Sequence, residues 1–144
     1  MANSLEDAIN KAAESESQAA AARQADAKRL QDEHDYVANR WRQLEPAFQE
    51  AISRANVTFK KLGRGERFRY TPTPQPYGDV ARGIFYLLSD TGLPRLEMPV
   101  SVTTTGAILF RSANFGDTEL RIRNLTPSGW DELLVRFFEM LPNK

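Results

Sequence analysis

The sequence predicts an α+β fold: a long N-terminal helix, kinked or broken near Pro46, an antiparallel meander of about five strands, and a C-terminal amphipathic helix packed on one sheet face. Three observations carry this expectation. Residues 1–45 contain no glycine and no proline, and the first glycine is Gly63. All eight glycines and seven of the eight prolines lie after residue 62, among short segments of β character. The chain then closes on Trp130, Leu133, Leu134, Phe137, Phe138 and Leu141, which share one face of a helix at i, i+3, i+4, i+7, i+8 and i+11.

The N-terminal run is rich in Ala, Glu, Gln, Lys and Arg, which favour helix, and it has no breaker. Ser4 and Asp7 have the spacing of an N-terminal capping pair. Leu5 and Ile9 are the only large apolar side chains between Met1 and Leu30. Residues 1–26 therefore have propensity but no face to bury, and are expected to fray unless a partner covers them. From residue 27 the pattern changes. Ala27, Leu30, His34, Val37, Trp41, Leu44, Phe48, Ala51 and Ala55 recur in 3-4 alternation, the seam of a coiled coil. Pro46 falls inside the seam, where it removes a donor and crowds the carbonyl of Arg42. The expected organisation is a frayed arm over 1–26, an amphipathic helical arm over 27–62 and a small α+β body over 63–144.

Within the body, Arg67 to Thr71 alternates polar and aromatic residues as a strand does. Pro72, Pro74 and Pro76 make the stretch to Gly78 and Asp79 an extended loop. Ile84 to Leu88 reads as a buried strand, and Asp90-Thr91-Gly92 as the turn after it. Leu96, Met98, Val100 and Val102 alternate with Arg95, Glu97, Pro99 and Ser101, the proline suggesting an edge or a bulge. Ala107 to Ser112 and Thr118 to Arg123 complete the meander. Thr126-Pro127, or Ser128 with Asp131, opens the last helix, and Pro142 ends it.

Composition narrows the function classes. Basic and acidic residues number 19 each, so no global field draws in nucleic acid or membrane. There is no cysteine, which removes disulfides, thiolate catalysis and cysteine-based metal sites. No apolar run is long enough to cross a bilayer and the N-terminus does not read as a secretory signal, so a cytoplasmic protein is expected. The sequons at Asn56 and Asn124 are then idle.

No catalytic, cofactor-binding or metal-binding set emerges. Asp32, Glu33, His34 and Asp35 cluster in sequence, but the positions three and four residues from His34 are Leu30, Gln31, Val37 and Ala38, which offer no carboxylate ally on its helical face. An active site on the loops around Tyr77, Asp79 and Asp90 has no supporting spacing. The proline-rich loop from Thr71 to Tyr77 reads as a linker more readily than as a polyproline ligand. Two surfaces remain. Leu30, His34, Val37, Trp41, Leu44 and Phe48 form an expected association surface, through which the chain docks to a partner or to its own copy. Lys60, Lys61 and Arg64, beside Gly63 and Gly65, form with Arg67, Arg69, Arg95, Arg121 and Arg123 a possible anion-binding set. By alternation these strand arginines point away from Phe68, Tyr70, Leu96, Leu120 and Ile122. The expected function is a non-enzymatic binding or adaptor protein that self-associates or docks through its helical arm and offers a basic sheet face to an acidic partner. The alternatives are a nucleic-acid-binding protein using the same arginines, and a small enzyme with an unrecognised loop site.

Overall fold

A computed structural model describes residues 3–74 and 78–141. Gln75, Pro76 and Tyr77 of the proline-rich loop, and Pro142, lie outside the described residues. The elements in order are helix α1 (Asn3–Lys61), strands β1 (Arg67–Thr73), β2 (Asp79–Leu88), β3 (Pro94–Thr103), β4 (Ala107–Phe110) and β5 (Thr118–Arg121), and helix α2 (Gly129–Glu139). The strands form one antiparallel sheet in the order β1-β2-β3-β4-β5, so every connection joins neighbours. The architecture is α+β, as the break in glycine and proline content predicts.

The chain divides into two compact units, residues 1–35 and 36–144. That boundary falls inside α1, within the predicted seam. In the first unit, Ser4 to Gln31 is helical and, apart from half-buried Ala20, exposed. Leu5, Ile9 and Leu30 are more than half exposed, at 72%, 59% and 59%. Ser4 lies within the helix rather than ahead of it, because α1 already begins at Asn3.

In the second unit one core holds everything together. Val37, Trp41, Leu44, Phe48, Ile52 and Phe59 from α1 meet Phe68, Tyr70, Phe85, Leu87, Met98, Val100 and Phe110 from the sheet, and Trp130, Leu133, Leu134 and Phe137 from α2. Both helices therefore cover the same sheet face. Phe48 stacks on Trp130 with ring centroids 4.2 Å apart and touches Tyr70, Phe85 and Phe110. The Trp130 indole donates to the Leu44 carbonyl at 3.0 Å, which satisfies its one polar atom in a buried setting.

Four sequence expectations change here. First, α1 runs through Pro46 as one helix of 59 residues rather than as two helices. Pro46 is exposed, so the carbonyl of Arg42 that loses its helical donor opens toward water, and the lost bond does not leave a buried orphan. Second, Pro99 lies on an interior strand, between β2 and β4. Its carbonyl accepts from the Arg111 amide at 3.0 Å, beyond the last residue of β4. The missing N–H thus faces the place where the ladder ends, which is why an interior strand tolerates it. Third, β5 stops at Arg121, and residues 122–124 turn. Fourth, neither capping pair forms ahead of α2: Ser128 occupies the N-cap with no side-chain cap bond, and its hydroxyl pairs with that of Thr126 at 3.2 Å.

The edge formed by β1 is closed by α1. Asn56 accepts from the Phe68 amide at 2.7 Å and donates to the Phe68 carbonyl at 3.0 Å, as a neighbouring strand would. Gln49 donates to the Tyr70 carbonyl at 3.1 Å. The next residue of the same alternation is Pro72, which has no N–H to leave open. Asn56→Ala is expected to leave both groups of Phe68 unpaired and to cost about 1–3 kcal/mol. Urea unfolding checks this. A cost no larger than that of Asn39→Ala, an exposed control on the same helix, would show that the edge does not need its cover.

Candidate interaction face

The sheet face turned away from the helices is assembled by strand register. Arg69 lies opposite Tyr86, and Tyr86 opposite Glu97. In the neighbouring rows Thr71 meets Ile84 and Pro99, and Thr73 meets Arg82, Ser101, Leu109 and Glu119. Ile84, Tyr86 and Leu109 are half-buried, while Arg67, Arg69, Arg82, Arg95, Arg111 and Arg121 are exposed. The face therefore has an apolar centre with arginines around it. Between Arg82 and Arg111 it dips into an open depression of about 460 Å³ over Ile84, Pro99, Ser101 and Leu109.

The arginines differ in how far they are already committed. Arg82 Nε donates to Asp79 Oδ2. Arg121 lies 3.4 Å from Glu119, and Arg95 lies 4.0 Å from Glu66. Among the described residues Arg67, Arg69 and Arg111 form no ion pair. Arg123 does not join the face: because β5 ends before it, its guanidinium sits 4.9 Å over the ring of Tyr36 on α1.

At the loop around Gly63 two backbone amides are already engaged. Gly63, at φ +74°, ends α1 in the left-handed conformation that glycine adopts without strain. Its amide donates to the Lys60 carbonyl at 3.1 Å, and the Arg64 amide donates to the Phe59 carbonyl at 2.8 Å. This is the paired bonding of a Schellman ending, and it occupies the amides of Gly63 and Arg64. Lys60 and Lys61 occupy the last turn of α1, where they complement the negative end of the helix dipole. Arg64 is engaged twice, bound to Glu66 at 2.6 Å and lying 5.2 Å over the ring of Phe138.

The expected association surface is placed otherwise. Val37, Trp41, Leu44 and Phe48 lie in the core of the second unit, none more than 5% exposed. The seam packs on its own sheet, so in this fold those four side chains are not available to a second copy. Leu30 is exposed and His34 half-buried. His34 Nδ1 is 3.6 Å from Asp35 Oδ1, beyond hydrogen-bond reach, and that carboxylate instead accepts from Gln31 at 2.9 Å. Among the described residues no three His, Asp or Glu side chains gather as metal ligands.

Among the described residues one titratable group is strongly displaced. Burial pushes the Tyr70 phenol well above its usual range, and the nearby Glu45 carboxylate adds to the effect. Its hydroxyl has no hydrogen-bond partner among the described residues. Tyr70 thus keeps its proton through the neutral range and acts as a core residue. A second concavity, an open apolar groove of about 370 Å³, runs between the end of α1 and α2 over Ala55, Phe59, Leu62, Leu134, Val135 and Phe138. Arg54 and Asp131 pair across its margin at 3.1 Å.

Arg82, Arg111 and the half-buried Ile84, Tyr86 and Leu109 are the residues of the face that sequence reasoning missed. The signal for β2 was the alternation itself: with Phe85 turned inward, Ile84, Tyr86 and Arg82 must turn outward. The apolar run from Ile84 to Leu88 hides this parity. Comparison with protein-family models, with curated proteins and with solved structures returns no match. Among the described residues no helix is long and apolar enough to cross a membrane.

Proposed function

We propose that this chain is a non-enzymatic binding protein that presents the helix-free face of its sheet to an acidic protein partner. The observation that carries the reading is the standing of Arg67, Arg69 and Arg111, which have no ion pair among the described residues and surround the half-buried Ile84, Tyr86 and Leu109. Guanidinium groups hold carboxylates bidentately and are weakly hydrated, so they suit an interface that must lose water. An apolar centre with a charged rim is the usual anatomy of such an interface. The helical arm enters this reading only through residues that stay exposed, such as Leu30.

Nucleic acid is the second reading, favoured by one observation: Tyr86 stands directly opposite Arg69 on the same face, an aromatic beside a cation of the kind that bases stack on. Fluorescence anisotropy with labelled poly-L-glutamate tests the first reading. The variant Arg67→Glu/Arg69→Glu/Arg111→Glu is expected to weaken binding at least about tenfold, and added salt to weaken the parent. Tighter binding of a single-stranded oligonucleotide, lost in the same variant, transfers the face to nucleic acid. Affinity for poly-L-glutamate that the triple variant leaves unchanged removes the face from the proposal.

A further inference from the structure

We infer that the outer edge of β5 is a self-association surface, on which two copies of this chain pair β5 to β5 about a two-fold axis and make one continuous sheet. The two edges of the sheet are treated differently. Along β1, Asn56 bonds both outward groups of Phe68, Gln49 bonds the outward carbonyl of Tyr70, and Pro72 has no N–H to offer. Beyond β5, by contrast, no described strand pairs. The direction of its backbone groups follows from register. The Ile122 amide donates to the Gly106 carbonyl at 2.8 Å, with Leu120 opposite Ile108 and Thr118 opposite Phe110. Residues alternate in the side to which they bond, so Thr118 and Leu120 bond toward β4, and Glu119 and Arg121 turn their N–H and C=O groups outward.

The side chains on this edge are complementary to their own copy. Let two β5 strands meet antiparallel with Leu120 opposite Leu120. Glu119 of each copy then lies opposite Arg121 of the other. Both of these pairs are of the hydrogen-bonded kind, because their backbone groups already point across the gap, and each exchanges both its N–H···O bonds. Directly opposed residues share a face, so each carboxylate meets a guanidinium from the other copy. Glu119 and Arg121, 3.4 Å apart within one copy, thereby join a cluster with alternating charge. On the other face Leu120, half-buried and packed at the margin of the core, meets its mate and joins the two cores. Like charges facing each other would repel a second copy, a common protection of exposed edges; the order Glu-Leu-Arg does the reverse. The contact is isologous and closes at two copies. Its axis stands perpendicular to the sheet, so the helix-free faces of both copies lie on the same side. The inference does not depend on what that face binds.

Sedimentation equilibrium on the full chain, from about 1 µM to about 1 mM, tests it, with far-UV circular dichroism as the check of folding. The parent is expected to show a monomer–dimer equilibrium. Glu119→Arg and Arg121→Glu, each of which sets like charges opposite one another, are expected to weaken dimerisation at least about tenfold. The double variant Glu119→Arg/Arg121→Glu restores it, because the exchanged order is again self-complementary. Arg121→Pro removes an outward N–H, leaves the bonds to β4 in place, and is expected to abolish the dimer with an unchanged spectrum. A parent that stays monomeric over the whole range overturns the inference. So does a dimer indifferent to the single charge reversals, or one that the double exchange fails to restore.

Discussion

Phe48→Ala is expected to destabilise the unit formed by residues 36–144 by about 3–5 kcal/mol, the cost of removing a large aromatic side chain from a core that cannot close over the space. Phe48 is fully buried and has aromatic neighbours on every side: Trp130 from α2 at 4.2 Å between centroids, Tyr70 from β1 at 5.2 Å, Phe85 from β2 at 5.8 Å and Phe110 from β4 at 6.2 Å. Those four rings are anchored on separate elements, so collapse into the cavity would require all of them to shift together. A domain of this size has only about 5–15 kcal/mol of stability in total, and the loss is a large share of it. Leu30→Ala, on the same predicted seam but 59% exposed, is expected to change stability by less than about 0.5 kcal/mol. Urea unfolding of both variants at low protein concentration measures the difference. Equal effects would mean that the seam acts as a unit between copies; a large loss confined to Phe48 means that it acts within one chain.

That contrast shows what was legible in the sequence and what was not. The 3-4 spacing of Val37, Trp41, Leu44 and Phe48 identifies a helix face that must be buried, but spacing carries no information about what buries it. The answer lies in Trp130 and Phe137, more than eighty residues away, whose own helical spacing is equally silent about its target. The same holds for the arginines. Alternation sets Arg67 and Arg69 opposite Phe68 and Tyr70, because side chains on a strand have period two. It misleads at Arg123, where the strand has already ended and an aromatic ring on α1 takes the guanidinium. The closure of the β1 edge by Asn56 and Gln49 has no local signature at all, since a polar residue on the flank of a helix looks the same whether it meets water or a strand. The Gly63 ending was readable as a break in structure. That its amides are consumed by the preceding helical turn follows only from the geometry.

Gly83→Val is expected to cost about 3 kcal/mol or more, at the upper end of what overpacking does. Gly83 lies on β2 with an ordinary strand backbone, so conformational freedom is not why glycine stands there. Space is the reason. A Cβ at this position would come to 2.4 Å from the Tyr70 hydroxyl and 2.5 Å from carbons of its ring. Tyr70 crosses the sheet diagonally, since its direct partner is Phe85 while Gly83 lies opposite Pro72, and the ring covers the place where the glycine lacks a side chain. The ring has little freedom to retreat: it is 4% exposed, with Trp41 and Phe48 packed against its other sides. Gly83→Val would therefore displace Tyr70, and with it the Phe48 contacts that organise the core. A double-mutant cycle with Tyr70→Leu measures this dependence. If the clash is the cause, the valine costs at least about 1 kcal/mol less when the ring is absent, a coupling of the size expected for residues in direct contact. If the two substitutions simply add, the cost belongs to the β2 backbone, and the packing of Tyr70 over Gly83 is not what excludes a side chain there.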